Sequence, residues 1–250
     1  MVKYFSLLFL FLAYSELNAQ AHVKDSSLFV PMVGMSFAYQ IPDGDLVKRF
    51  SNNANIGISF LIKTKKKWVF GADGSFLFGR GIKEYGIFDS ITTTDGYLIN
   101  KDGKFADVQL HERGYSVGLK AGRLFKVLCP NPNSGILFLT GIGVLQHKIK
   151  IYDHFNTTPQ VDGDYKKGYD RLTNGIALSE FLGYVYLSNR RLVNFFGGFE
   201  CMQAFTKSRR SYDYDLRKKD TAARTDLLYG FRLGWIVPLY KKAPQDFYYY

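Results

Sequence analysis

Cysteine is scarce in this chain, and so are long apolar runs. Two cysteines in 250 residues are too few for a disulfide framework, so Cys129 and Cys201 are expected to be independent thiols. Beyond the N-terminus, no segment has about 18 uninterrupted apolar residues, which excludes transmembrane helices. A closed β-barrel is the other structure that satisfies every backbone hydrogen bond inside lipid.

Histidine is scarce as well. The four histidines are His22, His111, His147 and His154, and none of them is at metal-ligand spacing from another. No nucleophile elbow or paired catalytic motif is present. The sequence therefore predicts no metal, no cofactor and no catalytic residue.

Aromatic residues and glycine are abundant: aromatics make up 17% of the chain, and there are 24 glycines. Segment 227–237 shows how they are arranged. Every second residue is large and apolar (Leu227, Tyr229, Phe231, Leu233, Trp235, Val237), whereas the residues between are mostly small or charged (Leu228, Gly230, Arg232, Gly234). A soluble barrel exposes its charges, whereas a transmembrane β-barrel turns its aromatic face to lipid and its small and charged face to the lumen.

Segment 68–79 has the same inverted alternation. The residues predicted to face lipid are Trp68, Phe70, Phe76, Phe78, Tyr229, Phe231, Leu233 and Trp235. A soluble barrel would not place two tryptophans and several phenylalanines on its outer wall. We therefore expect the bacterial outer membrane as the location, with outer-membrane lipid as a partner.

Eight segments alternate in this way, which is an even number, as a bacterial barrel requires. They span residues 29–40, 55–62, 68–79, 114–124, 136–151, 176–187, 193–206 and 227–237. The connections after the odd-numbered segments are long, and those after the even-numbered segments are short. This predicts an all-β, eight-stranded antiparallel up-and-down barrel with long extracellular loops and short periplasmic turns.

The N-terminus begins with Met1-Val2-Lys3, continues as an apolar run to Tyr14, and ends in small and polar residues around Ala19. The run is too short to span a bilayer, which needs roughly 20 apolar residues. Residues 1–20 are thus predicted to be a secretory signal peptide, residues 21–240 the barrel, and residues 241–250 a periplasmic tail.

An eight-stranded barrel is only wide enough to be filled by its own side chains. Five charged residues are predicted to face the lumen and to pair there: Asp73, Lys120, Glu180, Glu200 and Arg232. Unpaired charges in the lumen would be costly, so an internal network of ion pairs is favoured. A narrow proton or ion path is the alternative.

The formal net charge is +11. Because the basic residues lie in predicted turns and loops of an exported protein, we expect no nucleic-acid partner. Solvated turns or attraction to anionic lipid head groups account for them instead.

The extracellular loops contain tyrosine beside arginine, a composition favoured at interface hot spots. The predicted partner-binding residues are Tyr165, Tyr169, Arg171, Arg209, Arg210, Tyr212 and Tyr214. The alternative is a folded cap that protects the barrel mouth.

The whole chain resembles the small outer-membrane barrels of Bacteroidota, a class that includes PorT-like and OmpA-like barrels. The resemblance is carried by the end of the signal segment, the eight-strand rhythm, and the stretches 130–135, 167–175 and 234–240. It implies a non-enzymatic structural or accessory subunit of an envelope complex, with type IX secretion as one such machinery and other envelope or secretion proteins as partners. The alternatives are a lipid-modifying enzyme at the rim, with His147 or His154 beside Ser179 or Ser208, and a narrow conductance path.

Overall fold

The computed structural model describes residues 27–128, 130–188 and 193–239. The predicted signal peptide (1–20) and tail (241–250) lie outside the described residues. In the described ranges, no helix is long and apolar enough to cross a bilayer.

Eight antiparallel strands form one closed barrel in sequence order, and β1 pairs with β8 to complete it. The strands are β1 (Val30–Gly44), β2 (Asn53–Lys63), β3 (Trp68–Gly79), β4 (Val108–Phe125), β5 (Gly135–Asp153), β6 (Thr173–Leu187), β7 (Asn194–Ser208) and β8 (Ala223–Pro238). Short 3-10 helices lie in the loops, at Leu46–Lys48, Asp89–Ile91, Pro159–Val161 and Gly163–Gly168. The predicted fold is confirmed.

Four connections lie at one end of the barrel: L1 (45–52), L2 (80–107), L3 (154–172) and L4 (209–222). L2 to L4 are long, whereas L1 has eight residues, one fewer than the connection 126–134. The other three connections and both ends of the described chain lie at the opposite end of the barrel. This is the outer-membrane arrangement, with loops extracellular and turns periplasmic.

Strand β4 begins at Val108, six residues before the predicted start at residue 114. The added segment contains His111, Glu112 and Arg113, so it lacks the apolar alternation from which the strands are predicted. Apolar alternation is required only at lipid depth. The strand continues above that depth by pairing with β5, from Val108↔Asp153 onward.

The outer wall of the barrel is apolar around its circumference. Phe199 is 71% exposed, Leu119 66% and Ile58 64%, and exposed apolar residues alternate along every strand with residues that face the lumen. A continuous apolar belt of this extent is far larger than the patches that soluble monomers expose. The barrel therefore spans a membrane, and a closed eight-stranded barrel with this polarity belongs in the bacterial outer membrane.

The lumen is filled in three layers. A periplasmic apolar layer includes Val69, Phe196 and Ile236, and an extracellular apolar layer includes Leu77, Ala204 and Leu228. Between them, four residues further along each strand, lie charged residues: Asp73 on β3, Glu200 on β7 and Arg232 on β8. The charges thus lie between two apolar layers of the lumen.

The cost of arginine on the outer wall is expected to depend on depth. Phe231→Arg, near the middle of β8, should lower the free energy of unfolding by about 2–4 kcal/mol. Trp235→Arg, three residues from the end of the strand at Pro238, should cost less. Tyr85→Arg is the control, because Tyr85 is 91% exposed in L2, and it should change little. Urea titration in lipid vesicles measures all three, and an equal cost for Tyr85→Arg and Phe231→Arg would refute the assignment of the lipid face.

Candidate functional site

Two ion pairs lie in the middle of the lumen, Glu200–Arg232 buried and Asp73–Lys120 partly buried; we call these four residues the ion belt. Arg232 donates from Nε to Glu200 Oε2 (2.6 Å) and from Nη2 to Glu200 Oε1 (3.1 Å). Lys120 Nζ lies 2.9 Å from Asp73 Oδ2. The lumen arrangement thus places four of the five predicted interior charges in two pairs.

Polar side chains satisfy the remaining atoms of the Glu200–Arg232 pair. Gln40 Nε2 donates to Glu200 Oε1 over 2.7 Å, and Arg232 Nη1 donates to Ser36 Oγ over 2.7 Å. Gly57 leaves the guanidinium room, because a Cβ at that position would lie 3.1 Å from Arg232 Nη1. Satisfied in this way, the pair is a structural plug across the lumen.

Both ion pairs border a small cavity of about 40 Å³, whose apolar wall includes Met32, Leu139 and Phe181. A single water needs about 10–15 Å³ of such space, so the cavity has room for a few waters and not for a substrate.

Glu180 was predicted to face the lumen. That prediction is wrong, because its side chain is exposed on the outer wall. Strand β6 points Ala177 and Phe181 inward, whereas Ile176, Leu178 and Leu182 are exposed. Large apolar residues therefore occupy both faces of β6, and their pattern does not reveal which face is the lumen. Pairing of Glu180 with Thr140 and Cys201 in the ladder fixes its outward direction.

At the extracellular end, ion pairs of the buried Arg49 and Arg171 tie the four loops together; we call L1 to L4 and these contacts the cap. Arg49 of L1 and Arg171 of L3 bind opposite oxygens of Glu84 in L2, at 2.7 and 2.8 Å. Arg171 also contacts Asp213 of L4 at 3.3 Å and pairs with Asp215. Arg171 is thus the residue on which L2, L3 and L4 meet.

A second set of pairs holds L4 down. Asp220 pairs with Arg224 of β8 and lies 3.6 Å from Arg49 Nη2, and Arg210 pairs with Asp170 of L3. Burial raises the pKa of Asp220, but the backbone N–H of Ala222 and the Arg224 guanidinium outweigh it, so the pKa is lowered overall. The carboxylate is thereby kept ionised in the cap.

Below these pairs, Phe50, Ile87, Val161 and Tyr169 are buried against one another. The cap is consequently a folded layer that closes the barrel mouth.

The predicted partner-binding residues separate into two groups. Tyr169 and Arg171 are buried, at 4% and 6% exposure, and the Arg210 guanidinium is occupied by Asp170. Their prediction as contact residues is corrected, because they hold the cap together. The exposed ones are Tyr165, Arg209, Tyr212 and Tyr214.

His147 is enclosed in the extracellular half of the lumen. Its Nε2 lies 2.9 Å from Asp226 Oδ2, and the same oxygen accepts a hydrogen bond from Thr206 Oγ1 at 2.6 Å. The hydroxyl therefore bonds to the carboxylate and not to the imidazole, so His147 is not placed to activate it. His154, exposed in L3, packs its ring against Tyr152 and Phe155. Within the described ranges, no three His, Cys, Asp or Glu side chains are grouped to hold a metal.

Removing the cation at the centre of the cap should release the loops. Arg171→Leu removes this partner from the buried Asp213 and from the partly buried Glu84 and Asp215, a loss of about 3–5 kcal/mol for a buried pair. Amide hydrogen exchange in L3 and L4 should accelerate at least tenfold while the strands stay protected. Lys219→Leu, at an exposed position of L4, is the control and should leave exchange unchanged. Equal protection in both variants would contradict the role of Arg171.

No protein-family model matches the chain, and no curated protein sequence does either. Among solved structures, the chain is similar to Neisserial surface protein A, with 12% identity over 83% of this chain and 96% of that one and a TM-score of 0.45. It is also similar to Ail, the attachment invasion locus protein of Yersinia pestis, with 10% identity over 84% and 99% and a TM-score of 0.43. By its own strand order and outer surface, the protein is a small eight-stranded outer-membrane β-barrel.

Proposed function

We propose that this barrel is a non-enzymatic structural or accessory subunit of an envelope protein complex and that it contacts its partner through the cap. The observation that carries the proposal is the cap itself: ion pairs hold four loops in one surface, and aromatic side chains project from it. Tyr85, Phe105, Phe155 and Tyr165 are 91%, 67%, 66% and 61% exposed. Aromatic side chains on a preorganised surface are suited to hot-spot contacts, because little ordering is needed on binding.

The fixed conformation of the loops supports the same proposal. Asn100 to Lys104 form a turn in L2, and Lys101 N–H donates to Thr157 O of L3 over 2.9 Å. The ring of Phe105 stacks on Tyr97 with 4.5 Å between ring centroids. These contacts hold L2 against L3 and keep the Phe105 ring in place without a bound partner.

The basic rim supports outer-membrane lipid as a further partner. Arg113, Lys148, Lys207 and Arg209 occupy outward positions near the extracellular ends of β4 to β7, above the apolar belt. Cations at this height attract the phosphates of anionic lipid head groups.

Residues 1–20 complete the proposal as a signal peptide that directs export, with residues 241–250 as a periplasmic tail. The resemblance to PorT-like barrels of Bacteroidota favours the type IX secretion machinery as the envelope complex. Other envelope or secretion proteins are then the partners, and catalysis and nucleic acid have no part.

Substitutions in the cap can be compared with substitutions in a periplasmic turn. Phe155→Ser with Tyr165→Ser should leave the barrel folded and reduce co-purification of envelope partners from native membranes by roughly tenfold or more, since a hot-spot side chain contributes about 2 kcal/mol or more. Lys65→Ser with Lys66→Ser, in the exposed turn between β2 and β3, is the control and should keep the partners.

Quantitative mass spectrometry of the purified complexes measures both variants. Loss of partners only in the turn variant would place the contact at the periplasmic rim. Partners retained in both variants would contradict docking through the cap. Secretion of a type IX cargo by cells lacking the protein tests the machinery separately, and unchanged secretion would exclude it.

A further inference from the structure

One ionisable side chain lies on the lipid-facing wall at mid-depth. Glu180 is seven residues from either end of β6 and projects outward. Its outward neighbours on the strand are Leu178 and Leu182, which are 46% and 55% exposed. Asn174, six residues above, pairs in the ladder with Gln146 and Lys207 and marks the polar extracellular edge of the belt. At about 2.5 Å of depth per residue of a tilted strand, Glu180 lies roughly 15 Å below that edge.

A carboxyl group at this depth is unfavourable unless it is paired. In the lumen, every charge of the ion belt has an opposite charge within 3 Å. Glu180, in contrast, forms no ion pair and no hydrogen bond within the part of the chain that the structure describes. An outward charge without a partner inside the protein points to a partner outside it.

The wall around Glu180 is recessed and has further polar atoms. Its ladder neighbours Thr140 and Cys201 also project outward, so that three polar side chains form one row across β5, β6 and β7. The recess is bordered by aromatic rings from both sides, with Phe138, Phe199, Tyr229 and Phe231 among its lining residues. Small and hydroxyl-bearing residues in a membrane wall permit close approach of another transmembrane segment and hydrogen bonds to it.

The negative charge of Glu180 determines which kind of partner can bind at this row. A second copy of the chain does not fit, because a symmetric contact across this wall would place Glu180 against Glu180. Outward cations of the described strands lie at the ends of the belt, as Arg123 does near the periplasmic end of β4 and Lys148 near the extracellular end of β5. Lipid head groups do not reach mid-depth.

We propose that the row Thr140, Glu180 and Cys201 is a docking site within the membrane for a different membrane protein, one whose transmembrane segment carries a lysine or arginine at mid-depth. This inference rests on the proposed function, because it requires that the protein is a subunit of a larger complex. It adds a second contact, lateral to the barrel and separate from the cap. The ion pair and the aromatic walls together give the contact charge specificity and shape.

The experiment uses the purified, full mature barrel in phosphatidylcholine vesicles, with a synthetic transmembrane helix of leucine and alanine as the probe. One peptide has a single central lysine, and its control has leucine at that position. Energy transfer between dyes on the barrel and on the peptide measures association. The wild-type barrel should bind the lysine peptide at least tenfold more tightly than the leucine peptide.

Glu180→Gln and Glu180→Leu should abolish that preference, whereas Leu178→Gln, one outward position away, should keep it. Heat-modifiable gel mobility checks that each variant is folded, and Glu180→Leu should raise resistance to urea because it removes an unpaired carboxyl from lipid. Equal binding of the two peptides to wild type, or an unchanged preference in Glu180→Gln, would overturn the proposal. The cap variant Phe155→Ser with Tyr165→Ser should retain the peptide preference, so failure of the lateral site and failure of the cap are distinguishable.

Discussion

The structure depends on one constraint, that no backbone hydrogen-bonding group can be left open to lipid. Pairing of β1 with β8 meets this constraint because it removes both sheet edges. Closure with eight strands then fixes a narrow lumen, and the period-two alternation assigns each side chain to lipid or to the lumen. The apolar belt, the ion belt and the cap are consequences of that assignment: large side chains are turned outward, and the charges that remain inside must pair or lie near water.

The narrow lumen explains why the interior charges are paired. Glu200 and Arg232 satisfy each other with help from Gln40 and Ser36, and apolar layers lie above and below them. The cap repeats the same chemistry at the extracellular end, where Arg171 and Arg49 neutralise acids from two loops, L2 and L4. We therefore propose that function resides on the outer surfaces, namely the top of the cap, the basic rim and the wall around Glu180.

The sequence predicted the fold and the two faces of β8 correctly, because large apolar residues alternate along β8 with small and charged ones. It misplaced Glu180, because β6 has leucine or phenylalanine on both faces and its phase is set only by pairing with β5 and β7. It also could not separate Tyr165 from Tyr169 or Arg209 from Arg171. Burial in the cap is decided by acids far away in the chain, such as Glu84, which lies 87 residues before Arg171. The pair of His147 with Asp226 is likewise 79 residues apart and has no local signal.

The most direct test is a spin-label scan along β8, from Asp226 to Val237, in outer-membrane-like vesicles. Collision with molecular oxygen, which concentrates in lipid, is expected to alternate with a period of two residues. The oxygen collision rate should be high at the odd-numbered positions 227 to 237 and low at the even-numbered positions 226 to 236. Among the odd-numbered positions it should be highest near Tyr229 and Phe231. High oxygen accessibility at the even-numbered positions, or no alternation, would contradict an outer wall built from the large apolar face.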